Sequence, residues 1–242
     1  MALNNNPLSV WFDLDDTLIT TSKSLIAAVQ ASTVHLSSYY PDLTEGDIAN
    51  HSMDVWLTEL GPGTEGFSTL HKMQLSAFRS YIALGTLSRL GLSGVDTDAL
   101  MRCSTQAEEH AWVCFPGVKH LLDSIQRQNI PIGLISNGPT ALQNHKLTTC
   151  GLKDYFDHIV LDCEVGGSKP DDAIFTAAAK LMPAHRHVMV GNDPDADING
   201  ALRANWMAIW FTPGWFEETK PTEMGYIPIQ HHSEVLNHLI KG

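Results

Sequence analysis

"WFDLDDTLIT", residues 11–20, sets three carboxylates directly behind an apolar run. Asp13, Asp15 and Asp16 follow Leu8, Val10, Trp11 and Phe12. Ending a buried strand this way is costly. The like charges repel, and at least one carboxyl is pushed to a higher pKa unless something positive sits among them. Asp13, Asp15 and Thr17 are spaced by two, so in an extended chain their side chains share one side. Two carboxylates on one side can divide the roles of nucleophile and general acid–base. A divalent cation such as Mg²⁺ would offset their repulsion and join them to a phosphate. Taken alone, the pattern also describes a helix N-cap region or a solvated turn.

Further along the chain, four more short apolar runs read as strands: residues 130–136, 158–161, 187–191 and 206–211, after the first at 8–13. Most are continuously apolar, as strands covered on both faces should be. Helical spacing lies between the later ones, in "GVKHLLDSIQRQ", "DDAIFTAAAKLM" and "DINGALRANW", with Asn205 placed to stop the last in a left-handed turn. Strands alternating with helices imply an α/β fold with a doubly wound parallel sheet. Ligands of such sheets bind outside the carboxyl ends of the strands, where Asp13, Ser136 and Asp193 fall.

Residues 20–111 break the rhythm. "SKSLIAAVQASTVHLSSYY", "MDVWLTEL", "STLHKMQLSAFRSYIALGTLSRL" and "DALMRCSTQAEEHAWV" all read as helical, with a break at "GPGTEG" (61–66). The expected organisation is an α/β core of residues 1–19 and 112–242 with an all-helical insertion at 20–111.

Composition narrows the class. The chain has 242 residues, 17% of them charged, with a formal net charge of −12. That balance argues against nucleic acid polymers and anionic membranes as partners, while leaving room for a small anion at a local positive site. No apolar run approaches the roughly 18–20 residues of a membrane helix, and the start lacks the basic region of a secretory signal. Cys103, Cys114, Cys150 and Cys163 are scattered without a C-x-x-C pair, which argues against a disulfide framework or zinc site and for a reduced cytoplasmic setting.

Three further stretches carry chemistry. "LISNG" places Ser136, Asn137 and Gly138 after the second strand, where a hydroxyl and backbone N–H groups can hold a phosphoryl oxygen or simply cap a loop. "GGSKPDDAIF" puts Lys169 between a glycine turn and a helix, able to neutralise a phosphate or a nucleophile if it is not merely solvated. "VGNDPDADINGA" ends a strand in Asn192, Asp193, Asp195 and Asp197, metal ligands or their supports, or a helix N-terminal charge cluster. An acid pair, a hydroxyl, a lysine and more acids thus arrive in order at successive strand ends.

On these four motifs, "DLDDT", "SNG", "SKP" and "GNDPDAD", the chain resembles the haloacid dehalogenase superfamily over residues 7–18 and 112–212. The stretch from "SNGPTALQNHKLTTCG" to "GGSKPDDAIF" looks like its pyrimidine nucleotidase and acylneuraminate phosphate phosphatase branch. The resemblance implies a Rossmann-like core with a helical cap at the insertion. It also implies Mg²⁺-dependent hydrolysis of a small phosphorylated metabolite, a nucleoside monophosphate or sugar phosphate, by a monomer or homodimer. Asp13 would be the nucleophile and form an aspartyl-phosphate. Asp15 would be the acid–base. Thr17, Ser136, Asn137, Gly138 and Lys169 would face the phosphoryl group or offset its charge. Asp13, the backbone carbonyl of Asp15 and Asp193 would hold the metal, with Asn192 and Asp197 in support. Asp16 is assigned no catalytic role.

The fourth motif departs from the family, which commonly has Gly-Asp where this chain has Gly191-Asn192-Asp193. An amide oxygen is a weaker ligand for a hard cation, so Asp193 is the favoured carboxylate. In the insertion, Lys72 and Arg79 lie two helical turns apart and could turn toward an anionic substrate, although a solvated face explains either one alone. A dehalogenase shares the fold but lacks an acid two residues past its nucleophile. The same scaffold also accommodates a phosphomutase or a non-catalytic binding protein.

Overall fold

The computed structural model describes residues 8–213 and 220–239. The chain divides into two compact units. One comprises Met1–Ile19, Cys114–Gly138 and Cys150–Gly242; the other comprises Thr20–Val113 and Pro139–Thr149.

The first unit is built on a six-stranded sheet. Its strands are β1 (Leu8–Phe12), β2 (Ile132–Ser136), β3 (His158–Leu161), β4 (Arg186–Gly191), β5 (Met207–Phe211) and β6 (Ile227–Ile229). They lie in the order β3-β2-β1-β4-β5-β6, and every neighbouring pair is parallel. β1 is fully buried along its length, Ser9 included, as a strand covered on both faces should be. The chain leaves β1 toward β2 and β3, then returns to the opposite side with β4. The strand order therefore reverses at β1 and β4, the point where open α/β sheets open a crevice. β6 was not expected. It is three residues long, contains Pro228 and lies at the edge, the one place a sheet accepts a residue without an N–H.

The helices largely reproduce the spacing that announced them. Val118–Arg127 buries Val118, Leu121, Leu122 and Ile125, one apolar stripe. Asp172–Leu181 buries Ile174, Phe175 and Ala178 against Trp11, Ile135, Val160 and Met189 of the sheet. After β4 comes a π-helical turn at Pro194–Asn199, then the short helix Gly200–Arg203, and Asn205 stops it at φ 58°. Thr140–Thr149 is a helix that the sequence did not announce. It buries Gln143 and Lys146 beside Leu147, so its inward face is partly polar and shows no apolar period.

The second unit is entirely helical among its described residues. Thr21–Leu36, Glu45–Val55, Leu75–Arg89 and Thr97–His110 form its main helices, with Thr140–Thr149 belonging to the same unit. Leu36, Ile48, Leu87 and Leu100 make its buried cluster. Thr44 and Asp47 close a capping box at the start of the second helix. The stretch expected as one helix over residues 68–90 is instead two pieces. A 3₁₀ helix, Gly66–Lys72, ends in extended backbone at Met73 and Gln74, and an α-helix starts at Leu75.

Candidate active site

The carboxyl end of β1 runs into the acidic motif. Asp13 donates its N–H to the Val190 carbonyl at 2.9 Å, so it still belongs to the β1–β4 pairing. The chain then turns back on itself: Leu18 and Ile19 N–H groups reach the Leu14 carbonyl, and Asp16 N–H reaches the Ile19 carbonyl at 2.8 Å. Asp16 takes φ 56°, a left-handed conformation that aspartate tolerates, so its place in the motif is a turn. The extended geometry expected across Asp13, Asp15 and Thr17 is replaced by this turn.

Lys169 answers the opening puzzle of the clustered acids. Its Nζ donates to Asp13 Oδ1 at 2.6 Å, to Asp197 Oδ1 at 2.6 Å and to the Ile135 carbonyl at 3.1 Å. All three ammonium hydrogens have an acceptor. Asp13, Lys169 and Asp197 are each buried. Burial is the largest cause that drives the Asp13 carboxyl up, to about 7, against the pull of Lys169, with Asp197 and Asp15 adding to the rise. Burial likewise raises Asp197. For Lys169 burial disfavours the charge, but Asp13 and Asp197 outweigh it and hold the ammonium firmly protonated.

Asp197 has a second task. Its Oδ2 accepts from the Asp193 N–H at 2.9 Å. A Cβ on Gly191 would lie 2.3 Å from Asp197 Oδ2, so only glycine lets this carboxylate approach the strand end. Asn192 and Asp193 are used differently. Thr17 Oγ1 donates to Asn192 Oδ1 at 3.0 Å, joining the end of β4 to the β1 turn. Asp193 is exposed, and its Oδ1 accepts from the N–H groups of Asp195 and Ala196, capping the turn that follows.

Ser136 is the buried last residue of β2. Asn137 exchanges two hydrogen bonds with the Lys169 backbone, donating from Nδ2 to the carbonyl at 3.0 Å and accepting the N–H on Oδ1 at 2.9 Å. The "SNG" and "SKP" loops are thereby locked together. Gly138 N–H, expected to face a phosphoryl oxygen, donates instead to Asp162 Oδ1 at 2.8 Å. Asp162 is the residue sequence reasoning missed. It also accepts from Cys163 N–H at 2.7 Å and from Ser168 Oγ at 2.9 Å, and it is 1% exposed. The signal was present: Asp162 directly follows the apolar run 158–161, as Asp13 follows its own.

The structure therefore gathers Asp13, Lys169, Asp197, Ser136, Asn137, Thr17 and Asn192 at the carboxyl ends of β1, β2 and β4. Among the described residues no three His, Cys, Asp or Glu side chains converge as a ready metal site. The donors near Asp13 are all oxygens, however. That set suits Mg²⁺, which takes one or two carboxylates and completes its shell with water and substrate phosphate.

Arg79 departs from expectation. Within the helical unit its guanidinium bonds Glu109 at 2.8 Å and Glu108 at 3.1 Å, and Glu109 also meets His145 Nε2 at 2.9 Å. Two carboxylates neutralise Arg79, and Lys72 lies on a different helix beyond the Met73–Gln74 break. The two cations do not share a helical face.

Residues 9–205 match a family model described as haloacid dehalogenase-like hydrolase. The chain belongs to that family. Relatives carry several activities. A pyrimidine 5'-nucleotidase of Escherichia coli K12, YjjG, is 41% identical over 98 residues, which are 39% of this chain and 43% of that protein, so this match spans less than half of the relative. A glyceraldehyde 3-phosphate phosphatase of Methanothermobacter thermautotrophicus is 32% identical over 206 residues, 83% of this chain and 84% of that one. Among solved structures, a 2-haloacid dehalogenase of Pseudomonas syringae pv. Tomato DC3000 superimposes with TM-score 0.67 at 26% identity, covering 97% of this chain and 98% of the other.

Proposed function

We propose that this chain is a Mg²⁺-dependent phosphomonoester hydrolase of small phosphorylated metabolites. The observation that carries the reading is the buried Asp13–Lys169–Asp197 triad at the carboxyl end of the central strand. A carboxylate held in one orientation by a charged partner is a positioned nucleophile. The named activities of the nucleotidase and glyceraldehyde 3-phosphate phosphatase relatives support a phosphate ester as substrate.

In this mechanism an Asp13 oxygen attacks phosphorus, and the bond from phosphorus to the leaving oxygen breaks. Asp15 gives its proton to that oxygen. Asp15 then takes a proton from water, which attacks the aspartyl-phosphate, frees inorganic phosphate and restores Asp13. Lys169 offsets the charge on Asp13 throughout. Ser136 and the Asn137 N–H hold phosphoryl oxygens, with Thr17 and Gly138 shaping the loops around them. Asp13, the Asp15 carbonyl and an oxygen from Asn192 or Asp193 would hold Mg²⁺, with Asp197 in support. The cation, when bound, supplies positive charge where the transition state spreads negative charge over the phosphoryl oxygens. The helical unit would act as the cap that selects the ester.

Release of p-nitrophenol from p-nitrophenyl phosphate with and without Mg²⁺ tests the reading. Asp13→Asn should lower turnover by several orders of magnitude, and Asp15→Asn by roughly 10²–10⁴-fold. Near-normal turnover by pure Asp13→Asn protein rejects the mechanism. The likeness to a dehalogenase structure favours a second reading, halide release from a 2-haloacid through the same Asp13. Asp15 counts against it, because that branch lacks an acid at this position. Chloride release from 2-chloropropionate without phosphatase activity would select it. A screen of nucleoside monophosphates and sugar phosphates then names the substrate.

A further inference from the structure

The four cysteines are of two kinds. Cys103 Sγ donates to the Leu100 carbonyl at 3.1 Å and the Ala31 carbonyl at 3.7 Å. Cys163 is buried, and its Sγ donates to the Gly138 carbonyl at 3.3 Å. The backbone acceptors of these two thiols belong to residues other than cysteine. Cys114 and Cys150 meet each other. Cys114 Sγ donates to the Cys150 carbonyl at 3.8 Å, so the two cysteines are direct neighbours. Cys114 is half-buried, so a small solute reaches it, whereas Cys150 is buried. The Lys119 ammonium lies against Gly151, the next residue after Cys150.

The pair's place in the chain is as informative as its chemistry. The chain passes between the two units after Ile19, Val113, Gly138 and Thr149. Cys114 is the first core residue after the second crossing, and Cys150 the first after the fourth. Cys114 also bridges Ile19, the residue before the first crossing. A bond between the two sulfurs would tie these connections together.

We propose that Cys114 and Cys150 form a redox modification site, closed to an intramolecular disulfide by a hydroperoxide. Cys114, as thiolate, attacks one peroxide oxygen. The O–O bond breaks, hydroxide or alkoxide leaves, and Cys114 becomes a sulfenic acid. Cys150 sulfur attacks the sulfenic sulfur, its proton leaves with the hydroxyl as water, and the S–S bond forms. The two electrons lost by the thiols reduce the peroxide. The Cys150 hydrogen bond, working against burial and with help from Lys119, brings the Cys114 thiol down to about 7, so a large fraction is thiolate at neutral pH. Burial pushes Cys103 the other way.

Reduced full-length protein exposed to hydrogen peroxide, then unfolded, alkylated and mapped by mass spectrometry, tests the site. The expected result is a fall from four alkylatable thiols to two, a Cys114–Cys150 linked peptide in monomeric protein, and recovery of all four with dithiothreitol. In Cys150→Ser, dimedone should label Cys114, because the resolving thiol is gone. In Cys114→Ser, oxidation of Cys150 should slow by about tenfold or more. Four thiols that stay alkylatable, oxidation of Cys103 or Cys163 at an equal rate, or no dimedone adduct in Cys150→Ser each overturn the proposal. None of these readouts depends on phosphatase activity.

Discussion

Lys169 is the residue on which the site's electrostatics turn. Removing it leaves Asp13 and Asp197 buried with no cation between them, and breaking a buried pair from one side typically costs about 3–5 kcal/mol. Lys169→Ala should lose about that much stability in urea unfolding, as well as activity. Lys169→Ala with Asp197→Asn should recover part of it, since one of the stranded charges is then gone. A Lys169→Ala protein as stable as the parent would contradict the pairing. Asn192 and Asp193 pose a question that their side chains sharpen. Donor chemistry favoured Asp193, an amide oxygen being the weaker ligand for a hard cation, yet its Oδ1 caps a turn and Asn192 is the one joined to Thr17. We expect Asn192→Ala to raise the Mg²⁺ concentration for half-maximal activity more than Asp193→Ala does. The reverse order in metal titrations would restore Asp193. The candidate residues were legible because acids, hydroxyl and lysine recur at strand ends in a fixed order. Asp162 was not, because one isolated acid after a strand carries no pattern, although it anchors Gly138 and Ser168 at once.

Elements carry their own lesson and their own test. Five strands were legible from continuous apolar runs. β6 was not, being three residues interrupted by proline, and Thr140–Thr149 was not, because its buried face includes Gln143 and Lys146. Packing against the rest of the unit, which no single window of sequence displays, decided both. The segment after β6 brings in His232, which stacks near Phe211 and Phe115 and places Nε2 2.8 Å from the Thr17 carbonyl. It thus props the turn that follows Asp13. Burial pushes its pKa down from 6.5 to about 4. The unfolded chain therefore binds a proton between those values that the folded chain refuses. Stability from this group is complete above pH 6.5 and is lost as pH falls toward 4, by about 3–4 kcal/mol in all. An NMR titration of the His232 ring should give a value near 4, and a value at or above 6 would contradict its burial as the cause.

At the scale of the whole molecule, the α/β class and the existence of a helical insertion were legible, since strand and helix periods change abruptly at residue 20. That residues 139–149 belong with the insertion was not, because membership of a unit is a matter of contacts far apart in sequence. This threading has a consequence for how the protein is made. β1 leaves the ribosome well before its neighbours, β2, beginning at Ile132, and β4, beginning at Arg186. Trp11 and Phe12 have no exposure in the finished protein. During translation they must wait uncovered for many seconds while the helical stretch is synthesised, at roughly 5–20 residues per second. A strand buried along its whole length is therefore the one left longest uncovered. Ribosome-bound chains stalled near residue 180 should be cut by chymotrypsin at Trp11 and Phe12, while the released full-length chain resists. Protection in the stalled chains would mean that β1 and β2 alone make a stable core, and that the remaining strands are added to a sheet already formed.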